Sequence, residues 1–191
     1  MNPPNTRILG ISGSLRAASF NTALLQAAKN LAGPEVQFDI ATLHGIPLYD
    51  GDVEARDGLP QAVLALRNSI QASDGLLLAT PEYNNGIPGV FKNAIDWISR
   101  TSPEHPSVLS GKPVAIIGAS PGGFGTILAQ TAWLPVLRTL SMHYWAGGRL
   151  MVSKAHTVLI DGALQDPALT KQLSAFVKGF AAFAQAAKTA V

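Results

Sequence analysis

The run Arg7 to Leu31, RILGISGSLRAASFNTALLQAAKNL, decides the fold. Its opening, Arg7-Ile8-Leu9-Gly10-Ile11-Ser12, is short and apolar and ends in small residues, as a buried strand does. Its close, Asn21 to Leu31, sets Leu24, Leu25, Ala28 and Leu31 on one helical face, with Asn21 expected as the N-cap. Between them lies a loop of serine, glycine and alanine around one arginine. Strand, polar loop, helix is the unit from which parallel sheets are built.

The unit recurs along the chain. Val36–Leu43, Leu76–Thr80 and Val114–Gly118 read as further strands, and a fifth is expected within Met142–Val152. Helices are expected over Pro60–Ala72, Pro88–Ser99, about Thr126–Leu140 and Pro167–Lys188, the last capped by Asp166. The acidic stretch Asp50, Asp52, Glu54 and Asp57 reads as a solvated loop. Continuous apolar strands alternating with helices imply a parallel sheet covered on both faces. No repeat or linker interrupts the pattern, so residues 1–191 are expected to form one α/β domain.

Composition removes several function classes. The 191 residues are 47% hydrophobic and 14% charged, which excludes a disordered chain. A net charge of +2 with scattered Lys and Arg gives no basic face for nucleic acid. With no cysteine there is no disulfide framework, thiolate metal site or thiol nucleophile. Met1–Arg7 is polar, the apolar run after it is too brief for a signal-peptide core, and no stretch approaches a membrane span. No membrane partner and a cytoplasmic location are the expectation. His44, His105, His143 and His156 lack metal-ligand spacing.

Open parallel sheets bind ligands outside the carboxyl ends of their strands, which directs attention to three loops. The first holds Ser14, Arg16, Ser19, Phe20, Asn21 and Thr22. Its hydroxyls, its amide and the N–H groups at a helix start suit a phosphate dianion, with Arg16 adding charge. The second holds Pro81, Glu82, Tyr83, Asn84 and Asn85, followed by Gly86, expected at positive φ, and Pro88. A rigid loop with backbone amides beside an aromatic ring fits a flat heteroaromatic ligand with polar edges, such as an isoalloxazine. The third, Gly118-Ala119-Ser120-Pro121-Gly122-Gly123, matches the GxSxG elbow of esterases. The residue after the serine must donate an oxyanion-hole N–H, and Pro121 has none, so the loop argues against a hydrolase. Ser120, Gly122 and Gly123 fit better as an edge against a flat ligand. A receiver domain of the same architecture would need acidic residues after the first strand, where Ser12-Gly13-Ser14 stands.

The loop Gly13-Ser14-Leu15-Arg16, continued by Ser19-Phe20-Asn21, and the run Pro81-Glu82-Tyr83-Asn84 to Trp97 together resemble the NAD(P)H-dependent FMN reductase family, which includes chromate, quinone and azo-dye reductases. Ile46-Pro47-Leu48-Tyr49-Asp50 is similar to that family too. The resemblance implies a flavodoxin-like three-layer sandwich with a five-stranded parallel sheet of order 2-1-3-4-5. It implies FMN as cofactor and NADPH or NADH as hydride donor. By the same likeness Ser14, Arg16, Ser19, Phe20 and Asn21 hold the FMN phosphate, and Pro81 to Asn84 line the isoalloxazine opposite Ser120 and Gly122. Leu128 stands where many relatives carry an arginine linked to subunit contacts; a homodimer is expected, with a homotetramer as the alternative.

The expected reaction passes hydride from nicotinamide to flavin N5 and on to a small-molecule acceptor: a quinone, azo compound, chromate or free flavin. Backbone amides of Glu82 to Asn84 would stabilise charge at N1 and O2. The cofactor does the chemistry, so no catalytic side chain is expected. The rivals are an enzyme that releases reduced FMN, a flavodoxin-type electron carrier and a flavin-binding regulatory module.

Overall fold

The computed structural model describes residues 6–189; Met1–Asn5 of the polar N-terminal stretch lie outside them. Eight strands and six helices follow one another as β1 (Thr6–Ser12), α1 (Phe20–Leu31), β2 (Val36–Ala41), α2 (Gly51–Asp57), α3 (Gln61–Gln71), β3 (Gly75–Ala79), α4 (Gly89–Ile98), β4 (Pro113–Ala119), α5 (Ile127–Thr139), β5 (His143–Tyr144), β6 (Leu150–Val152), β7 (Leu159–Ile160), β8 (Ala163–Leu164) and α6 (Pro167–Thr189). The main sheet is parallel, in the order β2-β1-β3-β4-β5, with β6 also on β4. This is the flavodoxin-like order the resemblance implied.

Alternation along the central strands builds two cores. Leu77, Ala79, Ala115 and Ile117 face a layer of α1 and α6, with Leu24, Leu25, Phe176 and Phe180. Leu76, Leu78, Val114 and Ile116 face α3, α4 and α5, with Ile70, Phe91, Ile95 and Trp133. Every residue of β3 and β4 is buried, which explains the unbroken apolar runs.

Four expectations needed correction. The acidic stretch is not a loop: Asp50 caps α2, its carboxylate accepting from the Asp52 N–H at 2.9 Å. The fifth strand is interrupted. β5 pairs the start of β4 and β6 its end. Between them Trp145 turns in to stack edge-on against Phe176, and its indole leaves no room for a side chain at Gly147 or Gly148. The third correction is a hairpin, β7–β8, that the sequence pattern did not show. The fourth is the cap of α1. Ser19, not Asn21, is the N-cap, accepting from the Thr22 N–H at 3.3 Å. Asp166 caps α6 as expected, accepting from the Leu169 N–H at 2.6 Å.

Candidate functional site

The three loops start in register because the ladder of hydrogen bonds outlasts the strands. Gly13 N–H donates to Ala79 O, Thr80 N–H to Ile117 O and Ser120 N–H to Val152 O, at 2.9, 2.9 and 3.0 Å. Two glycines permit the close approach. A Cβ at Gly13 would collide with Phe91 and Pro81, and one at Gly118 with Thr126 and the Thr80 carbonyl. The loops therefore converge on one cleft. It is lined by Ser14, Arg16, Ser19, Phe20 and Asn21 from the first, Pro81, Glu82 and Tyr83 from the second, and Ala119, Ser120 and Pro121 from the third. Of the predicted site residues, Thr22, Asn84, Asn85, Gly122 and Gly123 do not line it.

Most of the polar side chains here hold the loops together. Asn21 is buried at 3% exposure and grips one residue of β4 at both ends. Its Nδ2 donates to the Ala119 carbonyl and its Oδ1 accepts from the Ala119 N–H, each at 2.9 Å. Thr22 shares a hydrogen bond with Ser12 at 2.8 Å. Glu82 reaches across to α5, where Oε2 accepts from the N–H groups of Leu128 and Ala129 at 2.9 Å each. The first-turn donors of a helix have no acceptors of their own, so this carboxylate acts as a cap at the positive end. Ser120 Oγ donates to Gly125 O at 2.6 Å, closing its own loop. Thr80 Oγ donates to Pro81 O at 2.8 Å and accepts from the Trp133 indole at 3.2 Å.

The second loop is a two-residue hairpin turn. Tyr83 and Gly86 exchange both backbone hydrogen bonds, at 3.3 and 3.0 Å. Asn84 and Asn85 take φ of 50° and 62°, the pattern of a type I′ turn. Positive φ therefore falls on the two asparagines and not on Gly86. The Tyr83 N–H is spent inside the turn, whereas those of Glu82 and Asn84 have no acceptor among the described residues.

What stays free in the first loop is mostly backbone. The N–H groups of Ala17, Ala18, Ser19, Phe20 and Asn21 have no acceptor among the described residues. The hydroxyls of Ser14 and Ser19 accept from Arg16 and Thr22 N–H groups, and their protons remain available. Arg16 is exposed and joins no ion pair of the described residues. A fan of donors at a helix start beside an unpaired guanidinium is the chemistry an anionic phosphate requires.

Several supporting residues carried no motif signal. His44 Nε2 lies 3.1 Å from Leu15 O and so pins the first loop. Lys154 and Ala155 donate backbone N–H groups to Gly122 O and Ser120 O, at 2.9 Å each. Asn93 treats the segment after β2 as Asn21 treats Ala119: it accepts from Tyr49 N–H and donates to Pro47 O, at 2.8 Å each. Three more findings bear on chemistry. The described residues hold no cluster of His, Asp and Glu suited to a metal. No helix among them is long and apolar enough to cross a membrane. Tyr83, which lines the cleft, stands 51% exposed, and Phe124 of the third loop 84%.

A parallel 2-1-3-4-5 sheet with three loops converging on a cleft at its strand ends defines a flavodoxin-like α/β protein. The chain belongs to the NADPH-dependent FMN reductase family, which matches residues 6–157. It is 50% identical over 149 residues to an NAD(P)H-dependent FMN reductase of Pseudomonas aeruginosa, covering 78% of each chain. It is 35% identical over 173 residues to a quinone reductase of Pseudomonas putida, covering 91% of each. Among solved structures, FerB, a flavoenzyme NAD(P)H:(acceptor) oxidoreductase from Paracoccus denitrificans, superposes with a TM-score of 0.83. That match has 32% identity and covers 95% of this chain and 98% of FerB.

Proposed function

We propose that the protein holds FMN non-covalently across its three loops, reduces it with NADH or NADPH, and delivers the electrons to a small acceptor of quinone type. The observation that carries this reading is the run of unpartnered N–H groups from Ala17 to Asn21 beside unpaired Arg16. These groups would hold the phosphate, helped by the hydroxyl protons of Ser14 and Ser19. Phe20 borders the same cleft. The free N–H groups of Glu82 and Asn84 would face the polar edge of the ring, with Pro81 and Tyr83 beneath and Ser120, Gly122 and Gly123 at the opposite rim. Thr22 and Asn85 support the site from behind: one anchors α1 to β1, the other completes the turn.

When bound, FMN supplies the hydride-accepting centre. The chain's part is to orient it and to place charge-stabilising donors at Glu82 and Asn84. No titratable side chain in the cleft is needed to move a proton. Exposed Tyr83 leaves one side of the cleft open to a planar partner, which suits both a nicotinamide and a quinone in turn.

Exposed Ile127, Leu128 and Leu134 of α5 support a homodimer. Reduced nicotinamide cofactors are maintained in the cytoplasm, which supports that location. The test is anaerobic titration of the FMN-loaded protein with NADH and NADPH, followed by a quinone. Bleaching of the flavin band that the quinone reverses supports the reading. FMN that binds but stays oxidised would favour an electron carrier, and failure to bind FMN would sink the proposal.

A further inference from the structure

A second cleft opens beside the first. One wall is the outer side of α1, with Phe20, Ala23 and Gln26; the other is the β7–β8 hairpin, with Leu159 and Asp161. Arg16, Ser19 and Phe20 line both clefts, so the two meet at the start of α1. The second has a volume of about 630 Å³, inside the range of small-molecule sites.

Its lining combines a cation, apolar surface and a carboxylate. Arg16 stands at the junction with the phosphate-facing loop. Phe20 and Ala23 on one wall and Leu159 on the other supply apolar surface. Asp161 lines only the second cleft, and like Arg16 it joins no ion pair of the described residues. The hairpin turn fixes Asp161 in place: it and Gly162 take φ of 50° and 78°, and Gln165 N–H closes the base of the hairpin on Val158 O at 2.9 Å. A cation, apolar surface and a lone carboxylate are what the phosphate, base and ribose diol of a nucleotide require. The reaction brings adenosine as its nucleoside: the hydride donor carries one, and so does a flavin cofactor extended to FAD.

Building on the flavin reading above, we propose that this cleft is a subsite for an adenosine 5′-phosphate unit. The phosphate meets Arg16, the base lies against Phe20, Ala23 and Leu159, and the ribose 2′,3′-diol faces Asp161. A carboxylate there accepts hydrogen bonds from a free diol and repels a 2′-phosphate. The unit can come from FAD seated in place of FMN, or from the hydride donor above FMN.

Calorimetric titrations separate these sources. The flavin-free protein is titrated with FMN and with FAD; the FMN-loaded protein is titrated with 5′-AMP and with adenosine 2′,5′-bisphosphate. Two variants are compared with the wild type: Gln26→Trp, which fills the cleft from an exposed helix position, and Asp161→Lys, which reverses the charge. A preference for FAD over FMN of about tenfold or more, lost in Gln26→Trp, supports the subsite with the flavin as source. Binding of 5′-AMP to the FMN-loaded protein supports it with the hydride donor as source. In that case the bisphosphate should bind about tenfold more weakly, and Asp161→Lys should invert the order. If FAD binds no tighter than FMN and 5′-AMP gives no heat, the subsite is refuted. It is refuted equally if neither variant changes any of the four affinities. Failure of the wild type to bind FMN would sink the flavin reading instead; 5′-AMP titrated into the flavin-free protein would then decide the cleft, with heat of binding supporting it and no heat refuting it.

Discussion

Asn21→Ala separates a residue that holds the loops from one that holds a ligand. In the structure both polar atoms of the Asn21 amide hydrogen-bond Ala119, a residue 2% exposed, and one Nδ2 hydrogen is left over, so holding the loops is the side chain's main task. Truncation removes two neutral hydrogen bonds, each worth about 0.5–1.5 kcal/mol net. It also strands a peptide N–H and a carbonyl at the end of a buried strand, which costs about 1–3 kcal/mol for each group left dry. Ala119 borders the open cleft, so water can reach part of that surface, and a total loss of about 2–4 kcal/mol is expected. At this chain length 1 kcal/mol moves the midpoint by about 2–4 °C, so Tm should fall by roughly 4–16 °C. Asn21→Asp should do no better, because it keeps the acceptor for the Ala119 N–H but sets a carboxylate against the Ala119 carbonyl. The assay is thermal unfolding of the flavin-free protein, followed by circular dichroism, beside an FMN titration. If flavin-free Asn21→Ala melted within about 1 °C of wild type while FMN affinity fell about tenfold, the amide would belong to the phosphate and the reasoning would fail.

Arg16→Ala should behave in the opposite way: no change in the melting of the flavin-free protein, and FMN affinity weaker by about 1.5–3 kcal/mol by titration, less so at high salt. Glu82→Ala should destabilise by about 1–2 kcal/mol through loss of the α5 cap, and Glu82→Gln by less, because its carbonyl still accepts; denaturant unfolding reads both. Arg67 is buried and donates to Ile98 O, to Arg100 O at 2.9 Å and to Pro106 O at 2.7 Å, so Arg67→Met should cost about 2–4 kcal/mol by stranding three carbonyls, again read by denaturant unfolding. Lys112, whose Nζ donates to Ser73 O at 2.6 Å, is held below the ordinary lysine value by burial, with Asp74 pulling the other way. A lysine depressed on folding binds fewer protons folded than unfolded, so its share of stability rises as pH climbs through the folded value toward the ordinary one. Lys112→Met should flatten that rise on the alkaline side, below the ordinary lysine value, measured by denaturant unfolding.

The layers were legible because burial on both faces leaves a strand no room for polar residues, as in Leu76–Ala79 and Val114–Ala119. The miss at α2 has the converse cause: none of its residues is buried, so no apolar period marks it, although Asp50 followed by Asp52 and Glu54 is a serviceable N-terminal signal. The β7–β8 turn is signalled only by Asp161-Gly162, a favoured hairpin pair, because strands of two residues show no alternation to support it. The break in the fifth strand is marked locally only by Gly147-Gly148. It depends on Trp145 finding Phe176 on α6, far along the chain. The cap of α1 is ambiguous for a related reason. Ser19 and Asn21 are both good capping residues, and what separates them is Ala119, 98 residues from Asn21.

The same distance explains why the site is legible while the roles of its parts are not. Ser, Thr, Asn and Glu cluster at the strand ends because loops there must be tied to one another across the sheet, and short polar side chains make those ties. Asn21 to Ala119, Thr22 to Ser12, Glu82 to α5 and Ser120 to Gly125 are such ties, and each engages the side chain that made the residue look like a ligand contact. The groups left over are main-chain N–H donors from Ala17 to Asn21 and at Glu82 and Asn84, which any residue but proline supplies. Side chains in these loops thus act one step back, by fixing where the donors point. Substitutions among them should register first as lost stability and only through it as weaker FMN binding, with Arg16 the exception because it holds nothing else in place.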